Sequence, residues 1–141
     1  MVEHYLKNVD DSYDSLNPED KLSEFVKLFK DAKARYDSDL EMERDLDVQT
    51  QDILHMIELT DTRKPHVYAE SFKKIREIRQ ERRKCKAEIE MLTPLINYSN
   101  AHAMEIKNLE RVLGDVRKAK ELIARRGFSP RNEDIGQIFW E

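Results

Sequence analysis

The sequence predicts an all-α protein, an elongated antiparallel helical bundle or coiled-coil-like hairpin of about three main helices with short terminal arms. Three observations lead there. Charged residues make up 38% and apolar residues 39% of the 141 positions, with only three Gly and four Pro, a mixture that suits long helices and leaves little material for sheet turns. Apolar residues step by three and four from Leu22 to Tyr36, and after acidic breaks at Asp39 and Glu43 the same phase resumes at Leu46, Ile53 and Ile57, over about five heptads. An acidic run, Asp37 to Asp47, is answered by a basic run, Lys73 to Lys86, across a turn signal at Asp61–His66. An apolar share of this size buries a thin seam rather than a thick core.

Residues 1–16 scatter Val2, Tyr5, Leu6, Val9, Tyr13 and Leu16 among carboxylates. They read as an N-terminal arm that docks loosely or as a disordered tail. A helix starts at Asn17-Pro18-Glu19-Asp20: Asn17 can accept from free amides, Pro18 suits the first helical position, and the carboxylates favour the positive end of the dipole. Its stripe is Leu22, Phe25, Phe29, Ala32 and Tyr36, then Leu46, Ile53 and Ile57. Val26, Leu40 and Leu54 widen it on one side, Met42 and Met56 on the other. The helix should cover about 18–60, some 60 Å at roughly 1.5 Å per residue.

Pro65 can sit in the first turn of a second helix, about 66–92, whose stripe is Tyr68, Phe72, Ile75, Ile78, Cys85, Ile89 and Leu92, interrupted by Arg82. Thr93-Pro94 then admits either a kink or a break. Continued apolar phase through Leu95, Ile96 and Ala103 favours a kink; Asn97-Tyr98-Ser99-Asn100 favours a break, and a break within 93–100 is the expectation. The third helix, about 100–126, carries Ile106, Leu109, Leu113, Val116 and Ile123 on its stripe. Gly114 weakens it, Gly127 suits the position after its end, and Ser129-Pro130 prevents continuation. The bundle thus spans 17–127 and a C-terminal tail 128–141.

Charge is strongly segregated beneath a net of −4. From Asp10 to Asp61 sixteen acidic residues face six basic ones; from Arg63 to Lys86 ten basic residues face three acidic ones. Within the acidic run, Asp37/Glu41/Asp45 and Asp39/Glu43/Asp47 are like-charge ladders, each pair costing a few tenths of a kcal/mol. Folding back at Arg63–Pro65 brings Lys73–Lys86 alongside about residues 42–55, and internal neutralisation is the simplest reading of the two runs.

One Cys, Cys85, makes no internal disulfide, so a reducing compartment is expected. No apolar run approaches a membrane span, and the acidic N-terminus has no signal-peptide core. A cytoplasmic protein without membrane contact is the expectation.

Four groups of residues bear on function. The basic row Lys73, Lys74, Arg76, Arg79, Arg82, Arg83, Lys84 and Lys86 spreads round most of its helix, and exposed rows of this kind bind phosphate backbones or acidic partners. No base-reading module and no interleaved aromatics accompany it. Asp52-x-x-His55 and His102-x-x-Glu105 place a carboxylate and an imidazole one turn apart, but the pattern is not the paired Glu-x-x-His of di-metal bundles, and no metal or other cofactor is expected. Cys85 lies on the apolar stripe, where a buried, inert thiol is the common outcome; its basic neighbours could lower its pKa. The tail gathers Phe128, Ile135, Ile138, Phe139 and Trp140, with 135, 138 and 139 spaced for one helical face. Aromatic anchors of this kind mark binding hot spots, unless the tail packs on its own bundle.

The expected function is a non-catalytic protein-binding module, an adaptor, inhibitor or assembly factor, with a small acidic protein of phage or mobile-element type as a fitting kind. Its partner would be a protein engaged through the tail and steered by segregated charge. A nucleic-acid-binding accessory protein using the basic helix, or a structural coiled-coil subunit, is the alternative. A homo-oligomer, first a dimer, would cover what a helix some 60 Å long leaves bare.

Overall fold

The computed structural model describes residues 4–5, 14–61, 63–128 and 131–140, with backbone alone at 4, 5, 127, 128 and 140. The fold is all-α. Among the described residues four helices follow in order: α1 (Pro18–Leu59), α2 (Pro65–Ala101), α3 (Ala103–Arg125) and α4 (Glu133–Trp140). Two two-residue strands, β1 (His4–Tyr5) and β2 (Gly127–Phe128), form an antiparallel bridge pairing His4 with Phe128 and Tyr5 with Gly127. The chain divides into two units, residues 27–103 and residues 1–26 with 104–141.

Residues 27–103 form an antiparallel hairpin of α1 and α2, as the fold-back at Pro65 predicts. Lys64 has extended backbone and Pro65 takes the first helical position, where its missing N–H costs nothing. The seam repeats every seven residues. On α1 it uses Phe29, Tyr36, Glu43, Thr50 and Ile57, alternating with Ala32, Asp39, Leu46 and Ile53; all nine are buried or half-buried. On α2 it uses Ser71, Ile78, Cys85, Leu92 and Ser99, alternating with Ile75, Arg82, Ile89 and Ile96, again all withdrawn from solvent. Two apolar clusters form on it. Ala32, Leu92 and Ile96 pack with Tyr36 and Leu95, and Leu46, Ile78 and Cys85 pack with Ile53. Each large side chain buried this way contributes on the order of 1.5–3 kcal/mol. The hydroxyls of Thr50, Ser71 and Thr93 bond to carbonyls of their own helix, at Leu46, Val67 and Ile89, which satisfies polar atoms beside the seam.

Pro94 neither breaks α2 nor ends it, contrary to the expected break within 93–100. The helix runs on to Ala101 with Pro94 inside it. Leu92 and Ile96, on either side of the proline, sit in one cluster against Ala32, and that packing offsets the lost backbone hydrogen bond. Tyr98, read as loop, stacks on Phe29 with ring centroids 5.8 Å apart and on His102 at 4.2 Å. The interruption falls at His102, whose φ of −127° and ψ of 36° leave the helical region while its N–H still donates to the Tyr98 carbonyl. The second stripe is also shifted. Phe72 is 71% exposed because the seam passes through its smaller neighbour Ser71.

In the unit of residues 1–26 and 104–141, Pro18 opens α1 as expected, but Asn17 does not cap it by accepting. Its φ is 52°, in the left-handed region that Asn tolerates, and its amide donates to Asp20 Oδ2 at 2.8 Å. Val26 is buried and Phe25 half exposed, the reverse of their expected order. Glu19 accepts from Arg117 at 3.2 Å, and Lys120 reaches Asp14 at 3.0 Å and Glu19 at 3.1 Å. Those two carboxylates, Asp14 foremost, raise the Lys120 ammonium above the usual lysine range. Leu113 is buried on α3, and Ile106, Leu109, Val116 and Ile123 are half-buried around it. Gly127 does not take the left-handed conformation foreseen for a helix end: it lies in β2 with extended backbone. Most of the arm 1–16, and Ser129-Pro130, lie outside the described residues.

Candidate interaction surfaces

The tail residues form helix α4. Asn132 caps it, its Oδ1 accepting from the N–H groups of Asp134 and Ile135 at 2.9 and 3.3 Å. Glu133 and Asp134 stand in the first turn, where carboxylates favour the dipole. Gly136 is carried within the helix. The spacing of Ile135, Ile138 and Phe139 puts them on one face, and they are 50%, 76% and 73% exposed. The Phe128 and Trp140 side chains lie outside the described residues, although Phe128 has its backbone in β2 and Trp140 closes α4.

The basic row of α2 is exposed at every position except Arg82, which is half-buried. Among the described residues, the α1 carboxylates neutralise only Arg82 of this row. Arg82 donates to Asp47 Oδ1 at 2.7 Å and to Glu43 Oε1 at 3.2 Å, as the fold-back register requires. Lys84 pairs with Glu81 of its own helix at 3.2 Å. Among the described residues, Lys73, Lys74, Arg76, Arg79, Arg83 and Lys86 have no carboxylate partner. Helical phase is the reason. Only the seam position of Arg82 points at α1, and its neighbours are carried round to solvent at about 100° per residue.

On α1, Asp37 is held by Lys33 at 3.1 Å, and among the described residues Glu41 and Asp45 have no cationic partner. Asp39 meets Glu88 of α2, which Arg35 also binds. Asp39 Oδ2 is buried without a hydrogen-bond partner. Burial first, then the neighbouring Glu88, raises the Asp39 carboxyl above its ordinary range, while the Arg35 guanidinium lowers that of Glu88. Cys85 packs among these groups. Burial and the surrounding carboxylates, Asp39 foremost, push its thiol up, opposite to the shift its basic sequence neighbours suggest. A raised thiol pKa leaves little thiolate at neutral pH.

His102 is occupied at the α2–α3 junction, its Nδ1 3.2 Å from the Tyr98 carbonyl oxygen. Among the described residues no group of three or more His, Cys, Asp or Glu side chains is placed to hold a metal ion, and no helix is long and apolar enough to cross a membrane.

One surface escaped the reading of the sequence. At the closed end of the hairpin an apolar groove of about 230 Å³ opens between Ile53, Met56, Ile57, Val67 and Tyr68. Its signal was present as Met56 beside the first stripe and Tyr68 on the second, both assigned there to packing. Comparison with family models, with curated proteins and with solved structures finds no match.

Proposed function

We propose that this chain is a non-catalytic helical protein-binding module, an adaptor, inhibitor or assembly factor, that engages a protein partner through α4. The observation that carries this reading is the exposure of Ile138 and Phe139 on a capped helix. A short helix with an i, i+3, i+4 apolar face is a standard groove-binding element, and burying such residues at an interface commonly supplies the dominant share of affinity. The seven-residue repeat of the hairpin seam supports a coiled-coil-like scaffold. The separated charges would steer approach rather than set affinity.

The test is affinity capture from nuclease-treated lysate of the source cells, comparing the native chain with Ile138→Ala/Phe139→Ala. Losing two anchors should weaken capture by roughly two orders of magnitude or more, at about 2 kcal/mol per hot-spot residue. A partner retained equally by both chains would refute the assignment to α4.

A further inference from the structure

We infer that one flank of α2, carrying Lys73, Arg76, Arg79, Arg83 and Lys86, is a binding surface for the phosphate backbone of nucleic acid. The inference stands apart from the role of α4 and rests on how α2 sorts its charges. At about 100° per residue these five cations fall within an arc of roughly 140°. Of the helix's own carboxylates, Glu70, Glu77, Glu81 and Glu88 fall within a separate arc of roughly 40°, while Glu90 lies on the cation side one turn beyond Lys86. The buried seam through Ile78, Arg82 and Cys85 separates one side of these arcs. Between Lys73 and Lys86 no acidic residue of α2 interrupts the row, and Glu90 bounds it at the C-terminal end.

Nor does α1 neutralise it. The two α1 carboxylates that reach α2 on this side, Glu43 and Asp47, are both spent on Arg82. All five cations are exposed and none has a carboxylate partner among the described residues. Arg76, Arg79, Arg83 and Lys86 line an open hollow together with Gln80 and Arg82.

The length of the row selects the partner. From Lys73 to Lys86 it runs about 20 Å, and one strand of a duplex carries a charge about every 3.4 Å of axis. Nucleic acid therefore offers several phosphates along the whole row. A second copy of the chain offers less. Within its acidic run the exposed carboxylates that lack a cationic partner among the described residues are Glu41 and Asp45, and one helical turn separates them. Between Lys73 and Lys86 the row contains no aromatic side chain and a single amide, with the exposed Phe72 just before it, so along its length it holds the backbone without reading bases.

Fluorescence anisotropy with labelled 20-base-pair DNA and RNA duplexes of mixed sequence tests this. Four to five phosphate contacts predict an affinity falling roughly 10²–10³-fold between about 50 and 200 mM salt. Changing the duplex sequence should leave affinity unchanged. Arg79→Glu/Arg83→Glu should abolish binding, Arg79→Gln/Arg83→Gln should weaken it and flatten the salt slope, and Lys84→Glu, off the row, should leave most of it. Circular dichroism confirms that each variant keeps its helices; if the Glu pair unfolds, the Gln pair decides. Absence of binding to either duplex at the lower salt, or binding indifferent to both double variants, would overturn the inference. So would sedimentation showing salt-sensitive self-association that the same variants remove while neither duplex binds, which would give the row to a second copy.

Discussion

Replacing Arg82 separates two contributions that the hairpin seam combines. The guanidinium bridges Asp47 and Glu43 of α1, with side chains 27%, 49% and 24% exposed, while the aliphatic stem fills a seam position between Ile78, Cys85 and Ile89. At this exposure each ion pair is screened and supplies about 0.5–1 kcal/mol. Removing it also leaves Glu43 and Asp47 as an uncompensated i,i+4 pair, a few tenths of a kcal/mol more. Losing the stem costs on the order of 1 kcal/mol of apolar burial. Arg82→Ala should therefore destabilise the hairpin by about 2–3 kcal/mol. Arg82→Met keeps the stem and loses only the ion pairs, so it should cost about 1–2 kcal/mol, about 1 kcal/mol less than Arg82→Ala. Urea titration followed by far-UV circular dichroism measures both, and a double-mutant cycle with Asp47→Asn isolates the direct pair. If Arg82→Met is as damaging as Arg82→Ala, stem packing is not what the position supplies. If the cycle shows no coupling, Arg82 and Asp47 do not meet in solution and the register of the hairpin is wrong.

Two further perturbations probe other parts of the fold. A methyl group at Gly114 would meet nothing within 4 Å, so Gly114→Ala should stabilise α3 by about 1 kcal/mol, read as an upward shift in thermal melting; destabilisation would mean the position is packed. Asp39→Asn bears on the carboxyl pair. Because the folded chain raises the Asp39 pKa, that group's contribution is fully present below the ordinary aspartate value of about 3.9 and is lost as pH rises through the raised one. Glu88 has the opposite slope, its contribution being lost as pH falls through its lowered value. Replacing a carboxylate that burial and Glu88 disfavour by a neutral amide should make the variant more stable than the native chain at pH near 7, with the gain fading towards pH about 4. Melts at several pH values decide it, and a gain independent of pH would contradict the assignment.

Much of the architecture was legible because local chemistry and global packing agree. Pro18, Pro65 and the three-four spacing between them mark two helix starts and a hairpin with no tertiary information. Cys85 on the stripe and the apolar face of Ile135, Ile138 and Phe139 follow from spacing alone. What was not legible depended on partners distant in sequence. Pro94 reads as a breaker until Leu92 and Ile96 are seen in one cluster with Ala32. A choice between Ser71 and Phe72 for the seam favours Phe on hydrophobicity, yet the phase set by Ile75 and Ile78 selects Ser71. The β1–β2 bridge joins residues far apart in the chain, not two runs linked by a hairpin turn. The two charged runs invited pairing in bulk, whereas helical phase admits only Arg82. At the candidate surfaces the residues were identifiable, but their exposure was not.

The role of α4 is tested most directly by site-specific photo-crosslinking in the source cells. A photoreactive aromatic residue would replace Phe139 and, as a control of similar exposure elsewhere, Met104, which is 66% exposed. Adducts to a different protein from position 139 and none from position 104 are the predicted result. Adducts only within the chain or to a second copy, or equal yields at the two positions, would contradict a partner-binding role for this helix.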